Sequence, residues 1–175
     1  MEVTYKIHPD DYQAYVRHAN LNSRTMRSSF RTLRFAPPVL FAALALPMMA
    51  VMNVGLVFGV VCVVTFAVLW VWNYPRHHQK MLDANAKKLL GEGRNAGLFC
   101  EHRMSIAEEG LSVASEYARA QVSWAMVERV EETKEHIFIY VGSMTAYLIP
   151  KWAFDSRRAA EDFFHTAQSF QRRAA

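Results

Sequence analysis

Between Phe35 and Pro75 the chain has no Asp, Glu, Lys, Arg or His, and an uncharged run of 41 residues is not the surface of a water-soluble protein. At 1.5 Å per residue such a run spans about 60 Å as a helix, roughly twice the hydrocarbon thickness of a bilayer. One crossing is too few and two fit, with Asn53 and Gly55 marking a turn near the middle. A cleaved signal peptide is excluded as a reading, because its apolar region covers only about 7–15 residues close to the N-terminus. The run is also poor in polar side chains. Apart from Tyr, Trp and Cys it holds only Asn53, Thr65 and Asn73, which argues against an ion or proton path through two helices alone.

Cysteine is as scarce as charge. Cys62 inside the run and Cys100 beyond it make no disulfide framework and no metal-ligand spacing, so both are expected as free thiols. The seven histidines fall singly or as the adjacent His77-His78, with no HExxH and no CxxC, and neither a metal nor another cofactor is expected. Cys100 and His102, two apart on one strand face, are the nearest thing to a nucleophile and its base. They lack a recognisable third group and oxyanion site. The carboxylates Glu128, Glu131, Glu132 and Glu135 surround a turn and read as a solvated edge rather than an acid–base set.

What is present sorts cleanly by position. The first membrane helix is expected to open at Pro37-Pro38, where a missing N–H has no helical partner, and to kink at Pro47. The second should run from about Val54 to Tyr74, ending in the interfacial aromatics Trp70, Trp72 and Tyr74. Gly55 and Gly59 have the small-xxx-small spacing that allows close helix approach, read here as packing within the hairpin. Residues 1–34 carry a net charge of +3, residues 75–97 also +3, and residues 98–175 −2. Basic groups therefore flank the apolar run on both sides while the turn has none, which places both termini in the cytoplasm of a multi-pass inner-membrane protein. A pI near 9.2 has the same origin, and an acidic soluble part argues against nucleic acid as a partner. The candidate contacts for anionic lipid headgroups or an acidic partner are Arg24, Arg27, Arg31 and Arg34 before the run and Arg76, Lys80, Lys87 and Lys88 after it.

The segment 1–34 reads as a strand, Val3-Tyr5-Ile7 alternating with polar residues, then a helix from Pro9-Asp10-Asp11 whose face carries Tyr12, Tyr15, Val16 and Ala19 and whose extension carries the arginines. Residues 35–75 form the hairpin, and 76–97 a juxtamembrane helix ending among Gly91, Gly93 and Gly97. In residues 98–175 the period changes to two. Met104 and Ile106, the turn Glu108-Glu109-Gly110, and Leu111 and Val113 predict a tight hairpin. Val122 and Trp124 lead into a short element with Val127 and Val130. Further strands fall over Ile137–Val141 and Tyr147–Ile149, and a helix capped by Asp155 or Ser156 carries the stripe Ala160, Phe163, Phe164, Ala167 and Phe170. The fold expected is a membrane α-helical hairpin joined to a small α+β cytoplasmic domain, an antiparallel sheet or barrel capped by a C-terminal helix.

The order Ile106-Ala107-Glu108-Glu109-Gly110-Leu111, then Val122-Ser123-Trp124, then Ile149-Pro150-Lys151-Trp152-Ala153-Phe154 resembles the YcxB-like family. With Pro9-Asp10-Asp11-Tyr12 and the hairpin, the resemblance extends over nearly the whole chain. It implies a C-terminal domain similar to pleckstrin-homology-like bacterial modules and supplies no catalytic residues. Lys151 and Trp152 join the candidate headgroup or partner contacts, one as a charge and the other as an amphipathic anchor. The resulting expectation is a non-enzymatic membrane protein whose cytoplasmic domain binds a partner protein or lipid headgroups, with a homo-oligomer as a further form. The rivals are a membrane-tethered enzyme using Cys100 and His102, and an accessory subunit of a transport complex.

Overall fold

The structure is a computed structural model that describes residues 1–52, 55–92 and 95–174. The chain divides into two compact units, Met1–Ala19 with Ala86–Ala175, and Asn20–Asn85.

Unit 20–85 is a helical hairpin. Its helix α2 spans Arg24–Val51, and α3 spans Leu56–Gly91, continuing beyond the unit. Both contain stretches long and apolar enough to cross a membrane, Thr25–Met49 and Leu56–Lys88. Phe30 packs on Tyr74 and His78, Phe41 on Phe66 with ring centres 4.3 Å apart, and Met49 on Gly59. These pairs run in opposite directions along the two helices and bring the basic end of α2 beside that of α3. Of the turn expected at Asn53–Gly55, Asn53 lies outside the described residues, as does Gly93.

Two helix boundaries differ from expectation. The first helix begins at Arg24, and Pro37, Pro38 and Pro47 all lie inside it. Likewise α3 passes Pro75 without ending and runs on to Gly91, so the helix expected after the second span is its continuation. A proline deprives the carbonyl four residues earlier of its helical donor. At Pro37 that carbonyl belongs to Leu33, and the indole N–H of Trp70 on α3 donates to it at 3.4 Å. The break between α1 and α2 falls at Ser23, whose Oγ accepts from the Met26 amide while Arg27 donates to Leu21 O and Asn22 Oδ1 behind it.

The other unit contains two antiparallel sheets. One has the order β1-β2-β3-β4, with β1 Glu2–Lys6, β2 Glu101–Ala107, β3 Gly110–Ser115 and β4 Arg119–Val122. The second has the order β5-β6-β7, with β5 Arg129–Glu132, β6 His136–Tyr140 and β7 Ala146–Pro150. Helix α1 spans Pro9–Asn22, the short α4 Ala96–Phe99, and α5 Arg157–Ala174 closes the fold. The first strand thus joins residues a hundred positions later, with Val3 opposite Met104 and Tyr5 opposite His102. Segment 1–34 is accordingly shared between both units, and the second stretch of the sheet-bearing unit starts at Ala86.

The hairpin turn at Glu108-Glu109 is as predicted, with Ala107 paired to Gly110. Gly110 has φ +155°, and a Cβ there would lie 2.4 Å from the Val122 carbonyl oxygen, so the close approach of β4 admits only glycine. Ser156 caps α5 by accepting from the Ala159 amide at 3.1 Å. The α5 stripe buries Ala160, Phe163, Phe164 and Ala167. Trp124 sits in a short 3-10 turn, Trp124–Met126, with its ring 5.5 Å from Phe170 and its indole N–H donating to Ala107 O at 2.7 Å.

All five residues of β6 are buried. Alternation gives the reason. Ile137 and Ile139 point to one face of the sheet, while His136, Phe138 and Tyr140 point to the other and meet α1.

Candidate functional site

The contact between α1 and β6 brings several polar side chains together. Asp11, Tyr15 and His18 recur at helical spacing and face His136, Phe138 and Tyr140, which recur at strand spacing. The Asp11 carboxylate accepts from His136 Nε2 at 2.7 Å and from the His8 amide at 2.8 Å, with both side chains of the pair buried. The His18 ring stacks on Phe138 at 4.6 Å and its Nε2 lies 2.7 Å from Glu131. Arg129 completes the chain, 3.0 Å from Glu131 and with its guanidinium 3.7 Å above the Tyr140 ring. Tyr15 donates to the Met144 carbonyl. Burial pushes the Tyr15 and Tyr140 hydroxyls above the ordinary tyrosine range. Sequence reading placed Tyr15 on the buried face but missed Asp11, His18 and His136. Their signal is split between a helix and a strand 125 residues apart.

Cys100 and His102 do lie together, with Sγ 3.9 Å from Nε2. However, Nε2 also lies 3.1 Å from the Leu98 carbonyl oxygen, an acceptor only, so that nitrogen carries the proton. It then has no lone pair for the thiol, whose own contact is Gly97 O at 3.4 Å. His102 faces a hollow of about 270 Å³ lined also by Tyr5, Tyr147 and Val113, and Cys100 is not among its lining residues. The Tyr5 hydroxyl there is pushed strongly upward, first by burial and second by Tyr147.

The basic candidates separate into two sets. On α2, Arg27 is committed to the end of α1, Arg31 is exposed, and the Arg34 guanidinium stands 5.6 Å over Phe35. The Arg24 side chain lies outside what is described. On α3, Arg76, Lys80 and Lys87 are exposed, and Lys88 makes a 3.7 Å pair with Glu92. Phe30 against Tyr74 and His78 brings Arg31 and Arg76 to the same end of the hairpin. Lys151 and Trp152 lie in the sheet-bearing unit. Lys151 Nζ is 2.7 Å from Glu132, and Trp152 is 57% exposed with its ring 5.7 Å from that of His8.

The glutamates expected as a solvated edge are largely ion-paired. Glu128 and Glu131 hold Arg129, Glu131 also holds His18, and Glu132 holds Lys151. Beside them is a cleft of about 690 Å³ at the β5–β6 turn and the start of α5, lined by Lys134, Lys151 and Arg157 together with Glu132 and Glu161. Among the described residues there is no group of three or more His, Cys, Asp or Glu suited to a metal ion.

The tight turn before Gly110, Trp124 under α5 and the Pro150-Lys151-Trp152 junction form a continuous signature from the end of β2 to the middle of α5. Residues 106–167 match the family model of YcxB-like protein. The YcxB-like segment takes in β3 to β7 and most of α5, little more than a third of the chain. The first strand, Pro9–Tyr12 and the helical hairpin lie outside it, so the matched region is narrower than the resemblance read from the sequence. No curated protein and no solved structure matches the chain.

Proposed function

We propose that this is an integral membrane protein in which the α2–α3 hairpin is the anchor and the YcxB-like, sheet-bearing unit is a non-enzymatic binding module. The observation that carries the anchor is exposure. Only 6% of the Thr25–Met49 window and 11% of the Leu56–Lys88 window is buried by protein, unlike the core helix of a soluble domain. Apolar surface on that scale needs a lipid environment. Basic residues at the shared end of both helices support two cytoplasmic termini and an inner-membrane location. Four plus three antiparallel strands followed by one C-terminal helix support the pleckstrin-homology-like reading.

The module reading rests on how the polar groups are used. Asp11, His18, Glu131 and His136 are spent on joining α1 to the sheet, and His102 is turned to a backbone carbonyl. An enzyme built on Cys100 and His102 would need that imidazole free as a base. The module acts as an adaptor or regulator held at the membrane surface.

Cross-linking in intact membranes, followed by purification through the full chain and mass spectrometry, tests this. A recurrent stoichiometric partner or enriched lipid supports the module. Activity on a broad panel of acyl and phosphoryl esters that disappears in Cys100→Ala would replace it with the enzyme. A periplasmic reporter that becomes active when fused after the last residue would overturn the proposed topology.

A further inference from the structure

The cleft between the β5–β6 turn and the start of α5 differs from the unit that contains it. Residues 98–175 have two more acidic than basic side chains, yet three cations line this cleft against two carboxylates. Lys134 makes no ion pair among the described residues. Lys151 touches Glu132, but its half-buried ammonium has three donors and spends one there. Arg157 uses Nε on Glu161 at 3.0 Å, and its side chain is otherwise exposed, leaving both terminal nitrogens as donors. Donors from three separate segments thus converge on one concave surface. The residue after Lys151 is Trp152, a large aromatic left mostly in solvent. Aromatics of this kind favour the headgroup region of a bilayer, where one edge is apolar and the other wet.

Taking the binding-module reading as given, we infer that Lys134, Lys151 and Arg157 form a docking site for the phosphate of anionic phospholipid headgroups, with Trp152 entering the interface beside it. Three cations against two carboxylates leave the cleft one net positive charge, which matches the single negative charge of a phosphate diester and leaves the carboxylates in their existing pairs. The site is distinct from the juxtamembrane bases of α2 and α3, which follow from topology alone.

The test uses the full chain in nanodiscs of phosphatidylcholine with a graded fraction of phosphatidylglycerol, read by amide hydrogen exchange over 133–135 and 151–160. Exchange there should slow as the anionic fraction rises. In Lys134→Gln/Arg157→Gln the midpoint should move to about thirtyfold more anionic lipid, at about a factor of five per cation. Arg172→Gln/Arg173→Gln removes the same charge from the end of α5 and should leave the midpoint in place. Unchanged exchange at β6 verifies folding of both variants, and the single Lys134→Gln serves if the double variant unfolds. Lack of protection at any anionic fraction, or equal loss in both double variants, overturns the site. Protection by inorganic phosphate in phosphatidylcholine discs alone would assign the cleft to a soluble phosphate compound instead. A protein cross-linked at Lys134 in native membranes, without lipid protection, would sink this inference and leave the binding module standing.

Discussion

Strand β6 and helix α3 are both built from branched and aromatic apolar residues, and the protein covers them to opposite extents. Ile137, Phe138 and Ile139 have no exposed surface, because the sheet has protein on both faces. Leu56, Val57 and Phe58 on α3 are 64–78% exposed. The same chemistry therefore reports two solvents. Protein interior covers one set at about 25 cal/mol per Å² of apolar area removed from water. In the proposed anchor a bilayer covers the other, with the helix satisfying its own backbone and its side chains facing lipid.

The sharpest way to break that contrast is to remove a side chain that protein alone covers. Phe163 on α5 is fully buried and packs against Phe154 with the rings tilted at 57° and their centres 5.2 Å apart. Phe163→Ala should destabilise the sheet-bearing unit by about 3–5 kcal/mol, seen as faster hydrogen exchange throughout β5–β7. The α2–α3 hairpin should keep its exchange rates in the same experiment, as expected of an anchor covered by lipid and not by this unit.

Next in size is the reciprocal change. Val64→Asp puts a carboxylate on an exposed position of α3 midway between Leu56 and Tyr74, where it would be harmless in water. Near the centre of a bilayer it costs roughly 2.5–3.5 kcal/mol, so membrane integration measured by glycosylation or reporter mapping should fall by about two orders of magnitude. Unimpaired integration would mean that α3 is not a span.

Third is the seam between α1 and the second sheet. Asp11→Ala leaves His136 buried without its partner, a loss of about 3 kcal/mol by analogy with other half-removed buried pairs. The readout is selective proteolysis or exchange of α1. A double-mutant cycle with His136→Phe should show strong coupling, since both partners would then be gone.

How much of this was readable from sequence follows the same division. The β2–β3 turn, β6, β7, the Ser156 cap and the α5 stripe announce themselves locally, as period-two or period-3.6 patterns closed by a turn or cap. The pairing of β1 with β2 does not, because register between segments a hundred residues apart is set by the tertiary fold and not by either segment's pattern. Asp11 reads as a helix-start residue and His136 as a lone histidine until α1 lies on β6. Pro37 reads as a helix start, since a mid-helix proline is disfavoured in water. Trp70, a membrane-interface residue by sequence, supplies the donor that Leu33 O lacks, a compensation that only the assembled hairpin reveals. The Lys134, Lys151 and Arg157 cleft was half legible. Lys151 stood out through its motif, while Lys134 and Arg157 become its neighbours only by folding.

The smallest effect is absent at neutral pH and appears only in alkali. Tyr5 on β1 is almost fully buried, and burial followed by Tyr147 raises its hydroxyl above the ordinary value near 10. Its folded-state affinity for the proton exceeds the unfolded one. The resulting stability is therefore fully present below about pH 10 and is lost as pH rises from there towards the folded value. Unfolding midpoints of the sheet-bearing unit should be level through neutral pH and fall above about pH 10, and Tyr5→Phe should make that fall shallower, with Tyr15 and Tyr140 supplying the part that is left. An alkaline transition confined to β1–β7 would separate the two units once more. A fall shared equally by the hairpin would show that they unfold as one.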